Sequence, residues 1–457
     1  MTSVVFLLSA AILAAERPPP ECLLVASSDG NHVWISAGLS PDGEWIAAVR
    51  YPKPVRRGHT QTEKFHVVAL WKVADLDEGR QLAGKVSSES LKNVSAGSSA
   101  ANPAATSSAE LNGCHNPSRV CFSREGQVVV LAKEGQPGGY LIGKPDRPTP
   151  VTAEEADQAK AAGRRVTPFR RSVILFFDRD GLVEHHRWCD PNWDSHGNLD
   201  HNLFWYPAAT AVVHHTRRAV RLLDESTGEE FERLTFDRDK RDKNLELMVG
   251  TCDVRITPVD GKCLILATGG QQLSTGSGQR HAIWRLDEDR KVTKIVEARQ
   301  PQSWQVRTGG ISPIGGVFAL GGVSADFARN WPRPGPGDPS QGGLALDLWQ
   351  VEARKTTKGL IGHEHAVMDL DFSPDGKRLA TVSFDMTMIV WDVARGEPLA
   401  RRSLEGVPSY VQFAPDGDHV LTMTGAAGQT GVGTRIILWS VEGMLAADKS
   451  SPKRPKL

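Results

Sequence analysis

The 457-residue sequence lacks several features that would assign a protein to a functional class directly. Basic and acidic residues balance at 54 each, so no overall charge favours nucleic acid or a membrane surface as the partner. The six cysteines include no Cys-x-x-Cys pair and therefore indicate no zinc knuckle. No nucleophile elbow, phosphate-binding glycine loop or His-Glu-x-x-His motif is present, so we expect neither a catalytic site nor a bound cofactor.

Long hydrophobic runs are scarce, and the one at the N-terminus, residues 4–15, is too short to span a bilayer. It fits the core of a signal peptide, so we expect a leader and short linker over residues 1–20 and a secreted or periplasmic protein. No Lys or Arg precedes the run, and a cytoplasmic protein is the alternative. No other run is long enough for a transmembrane anchor. Export would allow the cysteines to pair, although we expect most of them to be free and buried.

Glycine, proline and tryptophan are plentiful, at 44, 28 and 12 residues, which suits many short strands joined by turns. The clearest pattern runs from residue 362 to residue 399, where three apolar runs of strand length alternate with turn residues. Four motifs mark it: Gly362-His363, Ser373-Pro374-Asp375-Gly376, Ser383-x-Asp385 and Trp391-Asp392. The second motif predicts a tight turn, because its proline fixes φ and its glycine accepts a positive φ.

This stretch resembles a WD repeat, the four-stranded antiparallel blade of a β-propeller. The resemblance covers all four motifs at the spacing that the family shows. It implies that His363, Ser383, Asp385 and Trp391 hydrogen-bond across the blade as a structural tetrad. A single blade cannot bury both of its faces, so further repeats are expected.

Weaker copies of the pattern give seven units: 33–84, 118–188, 200–236, 250–297, 304–361, 362–404 and 405–444. The end of the third strand recurs at seven aligned positions: Trp71, Phe177, Leu223, Trp284, Trp349, Trp391 and Trp439. The last unit lacks a fourth strand, whereas residues 21–27 form a strand-like run without a unit. The resemblance therefore implies an all-β fold, a single seven-bladed propeller over residues 21–444 whose ring is closed by the N-terminal strand.

Three segments depart from the repeat pattern. Residues 87–116 are rich in Ser, Ala and Asn, which predicts a disordered insertion. Residues 152–163 predict a helical insertion, with a helix over 153–162 that begins at a Thr152/Glu155 capping box and ends at Gly163. The basic residues 445–457 predict a flexible tail.

The long connections fall between the second and third strands of five units, which predicts that they share one face and that this face binds a partner. Arginine and aromatic residues, which are typical of interface hot spots, concentrate in two of these loops. The candidate partner-binding residues are Arg164, Arg165, Phe169, Arg170, Arg171, Arg329, Trp331 and Arg333. Because arginine pairs with carboxylates, we expect a monomeric, non-catalytic scaffold whose partner is a protein or peptide with an acidic segment.

The link between the second and third units is rich in potential metal ligands. Asp190, Asn192, Asp194 and His196 include the alternate spacing of a calcium loop. The glycine and glutamate that an EF-hand requires at its sixth and twelfth positions are missing, and a solvated polar loop is the favoured interpretation. Two further alternatives stay open: a propeller enzyme with a channel-mouth site that could depend on a metal, and a structural, envelope-associated protein.

Overall fold

The structure is a computed structural model and describes most of the repeat region. The described residues are 22–28, 32–52, 66–77, 105–111, 114–123, 125–134, 139–144, 147–169, 172–189, 202–206, 211–215, 220–224, 226–235, 251–259, 262–269, 280–299, 304–324, 346–351, 355–425 and 434–450. Strands dominate, and within these residues they form seven four-stranded sheets and one three-stranded sheet. The predicted all-β architecture of antiparallel sheets is therefore confirmed.

The first four sheets follow one another along the chain. Sheet 1 contains β2 His32–Leu39, β3 Trp45–Pro52, β4 Val67–Lys72 and β5 Ser107–Glu110. Sheet 2 contains β6 Cys114–Phe122, β7 Val128–Glu134, β11 Ser172–Phe177 and β12 Glu184–Cys189. Sheet 3 contains β13 Asn202–Tyr206, β14 Ala211–His215, β15 Val220–Asp224 and β16 Glu230–Leu234. Sheet 4 contains β17 Thr251–Val259, β18 Lys262–Gly269, β19 Arg280–Leu286 and β20 Val292–Arg299.

The remaining sheets include one that combines both ends of the chain. Sheet 5 contains β21 Trp304–Ile311, β22 Val317–Ser324, β23 Leu346–Gln350 and β24 Lys355–Gly359. Sheet 6 contains β25 Val367–Phe372, β26 Arg378–Ser383, β27 Thr387–Asp392 and β28 Glu397–Ser403. Sheet 7 contains β29 Pro408–Phe413, β30 His419–Thr424, β31 Arg435–Ser440 and, as its fourth strand, β1 Cys22–Ser27. β1 runs antiparallel to β31, with Cys22 opposite Trp439 and Ser27 opposite Arg435.

An insertion in sheet 2 forms a small unit of its own between β7 and β11. It contains β8 Gly139–Lys144, β9 Arg147–Val151 and β10 Val166–Phe169, with β8 in the middle, and the helix α2 Ala153–Ala161. The predicted capping box is confirmed: the Thr152 hydroxyl accepts from the Glu155 amide, and the Glu155 carboxylate accepts from the Thr152 amide. Gly163 follows the helix in a left-handed conformation, at a φ of 70°.

The turns between first and second strands repeat one local design. In sheet 6 the Ser373 hydroxyl donates to the Asp375 carboxylate at 2.7 Å, and the Gly376 amide donates to the Ser373 carbonyl at 2.8 Å. Gly376 has a φ of 67°, where a side chain would be strained and would also collide with Ser312 of the neighbouring turn. Gly43 and Gly417 occupy the same turn position at φ values of 75° and 73°.

The hydrophobic core lies between sheets rather than inside any one of them. In the described residues, buried side chains form seven clusters, and each cluster joins two sheets that are neighbours in the order 1 to 7 or, in one case, sheets 7 and 1. The cluster between sheets 7 and 1 contains Trp34, Trp71 and Leu421. The first strands of the sheets also contact one another in the order β2, β6, β13, β17, β21, β25, β29 and again β2.

The seven aligned third-strand positions all lie in this core. Each falls in the third strand of a different sheet, and none is more than 7% exposed. Each packs against the preceding sheet, as Trp391 does against Leu348 of sheet 5. The repeat that the sequence indicated therefore corresponds to one contact with the preceding sheet in each unit.

Two predictions about segments outside the repeats are wrong. Residues 107–110, expected to be disordered, form β5, which pairs with Val67–Leu70 of β4 and completes sheet 1 beyond the predicted unit of 33–84. The edge of sheet 1 is completed by this segment, which is distant along the chain, and Leu111 after it is buried. Residues 445–450, expected to be a flexible tail, belong to the helix α3 Val441–Ser450, whose buried Met444 packs in the core between sheets 6 and 7. A third short helix, α1 Val73–Asp77, follows β4.

The contact between sheets 4 and 5 buries a histidine without hydrogen-bond partners. His281 of β19 is 1% exposed, and its ring lies 4.9 Å from the ring of Trp349 and 5.5 Å from that of Phe318. Neither ring nitrogen has a hydrogen-bond partner in the described structure. Burial lowers the pKa of His281 to about 4, because a protonated ring here would lose its hydration.

His281 should make the protein sensitive to acid. In the unfolded chain His281 binds a proton below its ordinary pKa of 6.5, whereas in the folded chain it binds one only near pH 4. The neutral His281 therefore contributes its full share of stability above pH 6.5, and this share is lost as the pH falls toward 4. Between neutral pH and about pH 5 we expect His281 to lower the free energy of unfolding by about 2 kcal/mol. Urea unfolding at neutral pH and at about pH 5 gives the fall in the free energy of unfolding for each protein. This fall should be about 2 kcal/mol smaller in His281→Leu than in the wild type. Equal losses in the two proteins would contradict the assignment.

The pairing of β1 with β31 should be essential for stability. Deleting residues 22–27 removes the buried Val25 and Ala26 and leaves the β31 edge unpaired. From lost apolar burial and ladder hydrogen bonds, we expect the free energy of unfolding to fall by about 3 to 5 kcal/mol, or the protein to aggregate through the open edge. Denaturant unfolding and gel filtration measure these outcomes, and removal of residues 452–457 is the control. A monomeric deletion protein of unchanged stability would rule the idea out.

Candidate partner-binding surface

The two ends of the sheets differ in their connections. The long connections 53–65, 270–279, 325–345 and 426–433 and the insertion in sheet 2 all join second to third strands, as predicted. The links between sheets lie on the same side: the Phe384 amide donates to the Ala366 carbonyl and the Gly425 amide to the Val407 carbonyl, both at 2.9 Å. We call this side, marked by residues 361–366, 384–386 and 404–407, the loop face. The opposite side, which carries the short turns such as 373–376 and 394–397, is the turn face.

Charges on the turn face are paired between neighbouring sheets. Arg179 of sheet 2 contacts Asp42 of sheet 1, Arg290 of sheet 4 contacts Asp224 of sheet 3 at 2.6 Å, and Arg378 of sheet 6 lies 3.6 Å from Asp418 of sheet 7. Hydrogen bonds, led by that from the Ser226 hydroxyl, hold the pKa of Asp224 well below its usual value. These side chains are already used in joining the sheets.

On the loop face, sheet 6 contains a buried polar network. His363 Nδ1 lies 3.1 Å from Asp385 Oδ2, and His363 Nε2 lies 2.7 Å from the Thr381 hydroxyl. The Trp391 indole donates to the same hydroxyl at 2.8 Å. Burial alone would raise the pKa of Asp385, but hydrogen bonds from His363, Thr387 and the Glu364 amide outweigh it and lower the pKa well below its usual range. The network ties the link 361–366 to two strands of the sheet, β26 and β27.

Thr381, rather than Ser383, joins the histidine to the tryptophan. Ser383 instead donates to the His365 carbonyl at 3.0 Å and accepts from the Asp385 amide at 3.2 Å, so it holds the turn after β26. Thr381 lies outside the four sequence motifs of residues 362–399, although a signal for it existed. Thr381 is the fourth residue of β26, and Thr422, the fourth residue of β30, accepts from the Trp439 indole at 2.8 Å in the same way.

The candidate partner-binding residues are only partly placed. Arg164 and Arg165 follow α2 and are exposed, and Phe169 ends β10 opposite Gly139. These three residues therefore belong to the insertion in sheet 2. Arg170, Arg171, Arg329, Trp331 and Arg333 lie outside the described residues.

The candidate metal ligands Asp190, Asn192, Asp194 and His196 also lie outside the described residues. Within the described part of the chain, no group of three or more His, Cys, Asp or Glu side chains is arranged to hold a metal ion. The described thiols Cys22, Cys121 and Cys263 are free, and burial raises the pKa of Cys22 to about 11. Thiols held in the neutral form are poor nucleophiles and poor metal ligands.

Comparison with known proteins gives the class of the chain. Residues 354–392 match the family described as WD domain, G-beta repeat. The U3 small nucleolar RNA-associated protein 21 homolog of Schizosaccharomyces pombe is 36% identical over 79 residues, 17% of this chain and 9% of that protein. Pre-mRNA-processing factor 17 of Homo sapiens is 32% identical over 74 residues, 16% of this chain and 13% of that protein.

One subunit of chromatin assembly factor 1 from Mus musculus is 28% identical over 167 residues, 33% of this chain and 27% of that protein. The similar stretches thus span less than a third of these relatives. The chain therefore contains a WD repeat at residues 354–392, as the resemblance of residues 362–399 implied.

The prediction of a secreted or periplasmic protein is wrong, whereas the signal peptide over residues 1–20 stays a prediction. The relatives are named as small nucleolar RNA-associated, pre-mRNA-processing and chromatin assembly proteins, which are intracellular factors. A short apolar run is a weak signal without basic residues before it, and residues 1–20 lie outside the described part. None of the helices in the described part is long and apolar enough to cross a membrane.

The role of Thr381 can be tested with a matched pair of variants. Thr381→Val keeps the side-chain volume but leaves the Trp391 indole and one nitrogen of His363 buried without partners, so we expect a loss of about 1 to 3 kcal/mol. Thr381→Ser keeps the hydroxyl and should cost less, and Trp391→Ala should cost about 3 to 5 kcal/mol. Denaturant unfolding of the three variants gives these values. Equal costs for the valine and serine variants would show that the hydroxyl does not join the network.

Proposed function

We propose that this protein is a non-catalytic scaffold, a single seven-bladed propeller over residues 21–444 that binds a protein or peptide partner on its loop face. The seven sheets are its blades, and β1 closes the ring by completing the last blade. The observation that carries the proposal is the contrast between the two faces. The turn face carries short turns joined by ion pairs, whereas the loop face carries the long connections and the insertion with Arg164 and Arg165.

The contacts between sheets support the ring. The first strands touch in a cyclic order that returns to its start, and the cluster between sheets 7 and 1 is of the same kind as the other six. Each blade buries both faces in this way, as a repeat architecture requires. Residues that are not needed for this packing are free to diverge on the loop face.

The chemistry of the loop-face residues supports a protein partner. Arg164 and Arg165 are exposed, and the proposed surface continues to Phe169, Arg170 and Arg171 and, across the central opening, to Arg329, Trp331 and Arg333. Arginine and aromatic side chains dominate interface hot spots, and arginine binds carboxylates through paired hydrogen bonds. Relatives named as a pre-mRNA-processing factor and as part of a chromatin assembly factor support a role in larger assemblies.

The proposal predicts which substitutions abolish partner capture. Replacing Arg164, Arg165, Arg170, Arg171 and Trp331 with Ala should remove partners recovered by crosslinking and mass spectrometry from the native cells. The melting temperature should change little, because exposed loop residues contribute little to folding. The matched control replaces Lys377 and Arg395, which are exposed on the turn face with side chains 80% and 74% accessible. Loss of partners in the turn-face variant alone would show that the wrong face was chosen.

A further inference from the structure

Most described arginines of the sheets are engaged by carboxylates. Ten of them lie within ion-pair distance of an Asp or Glu: Arg179, Arg221, Arg233, Arg280, Arg285, Arg290, Arg378, Arg395, Arg401 and Arg435. Arg119 of β6 and Arg307 of β21 differ, because no carboxylate of the described residues pairs with either side chain. Both lie on the first strands of their sheets, which contact one another around the centre.

A repeated irregularity sets the position of Arg307. The pairing of first and second strands skips one residue in five sheets, and these bulge residues are Ile35, Cys252, Arg307, Met368 and Ser409. A bulge leaves its extra residue unpaired and turns the side chain away from the regular alternation. Among these five, Arg307 alone is charged, and it is exposed. Arg307 lies beyond the four pairs nearest the turn face, so in the proposed ring we place its exposed side chain toward the loop-face mouth of the central opening.

Arg119 approaches the same opening from sheet 2. It pairs with Leu131, and this is the fourth pair from the turn of sheet 2. The fourth pairs of sheets 5 and 7 are Thr308 with Gly321 and Tyr410 with Met423, so Arg119, Thr308 and Tyr410 lie at the same level of their sheets. Its guanidinium lies over the Tyr410 ring, 4.9 Å from the centroid, although sheet 1 separates the two sheets in the chain order. The position of the Tyr410 side chain is itself fixed, because its hydroxyl donates to Gln412 at 2.7 Å.

This arrangement leaves Arg119 able to bind an anion. A guanidinium that stacks on an aromatic face keeps its N–H donors, which lie in its own plane, available for a carboxylate. Neighbouring acidic side chains are otherwise occupied: Asp369 accepts from the Val411 amide at 2.9 Å and lies 3.3 Å from the Thr308 hydroxyl. In the proposed ring of seven, sheets 2 and 5 are three steps apart, so the two arginines lie on opposite sides of the opening.

We propose that Arg119 and Arg307 form an acid-binding site at the loop-face mouth of the opening, which holds two carboxylate side chains of one extended acidic peptide segment. The inference rests on the proposed function and gives the chemistry of its partner. An extended segment spans the opening and places one carboxylate on each arginine. Nucleic acid fits less well, because affinity for it comes from many phosphate contacts, whereas the chain has no net charge and this site has two arginines.

The test uses the full chain and a fluorescein-labelled octapeptide of alternating Glu and Gly, with the Gln-Gly octapeptide as its neutral counterpart. Fluorescence anisotropy at low salt should show that the Glu peptide binds at least about tenfold more tightly than the Gln peptide. Arg307→Gln and Arg119→Gln should each weaken binding of the Glu peptide about tenfold or more, because each removes one charge-assisted pair. The control Arg395→Gln removes the same charge from the turn face and should leave the affinity unchanged.

Three outcomes would overturn the inference: equal binding of the two peptides, unchanged affinity in both variants, or displacement of the Glu peptide by an RNA oligonucleotide that binds more tightly. Arg307→Gln keeps the test valid if Arg119→Gln is unstable, because Arg307 is exposed. The scaffold proposal fails separately. The double variant of Arg119 and Arg307 is compared with the loop variant that includes Arg164 and Arg165. If the double variant still captures cellular partners that the loop variant loses, the partner binds the loop face but not through Arg119 and Arg307.

Discussion

No sheet in this protein can bury its own faces, and the rest of the structure depends on that constraint. In sheet 6, Leu379 and Ile389 pack toward sheet 5, whereas Ala380 and Val382 pack toward sheet 7. Because side chains alternate along a strand, every sheet shares one cluster with the sheet before it and another with the sheet after it. Loss of one sheet would expose two of these clusters at once.

Polar contacts between first strands fix how neighbouring sheets align. Asp371 of sheet 6 accepts from the Phe413 amide of sheet 7 at 2.7 Å, and Gln412 of sheet 7 accepts from the Leu39 amide of sheet 1 at 3.0 Å. Ser36 of sheet 1 accepts from the Val120 amide of sheet 2 at 3.0 Å. Apolar packing is not directional, so the clusters alone do not fix how one sheet is aligned with the next. These side-chain-to-backbone hydrogen bonds fix that alignment.

The same packing explains why one end of the sheets can vary. A longer loop costs little extra closure entropy, so connections between second and third strands can grow without disturbing the clusters. The insertion in sheet 2 has its own small sheet and a capped helix between two strands that remain fully paired. The turn face has less freedom, since Gly376 is closely packed against the neighbouring turn and ion pairs cross from sheet to sheet.

Local patterns in the sequence determined the repeat period, the seven third-strand core positions, the tight turns and the capped helix of residues 153–161, because each of these depends on residues close together in the chain. Tertiary structure alone decided the pairing of Ser107–Glu110 with β4 and the docking of α3. It also placed Arg119 over Tyr410, although the two residues lie in sheets far apart along the chain. These features depend on which surfaces of different sheets meet, and short polar segments carry no local pattern that reveals a distant partner.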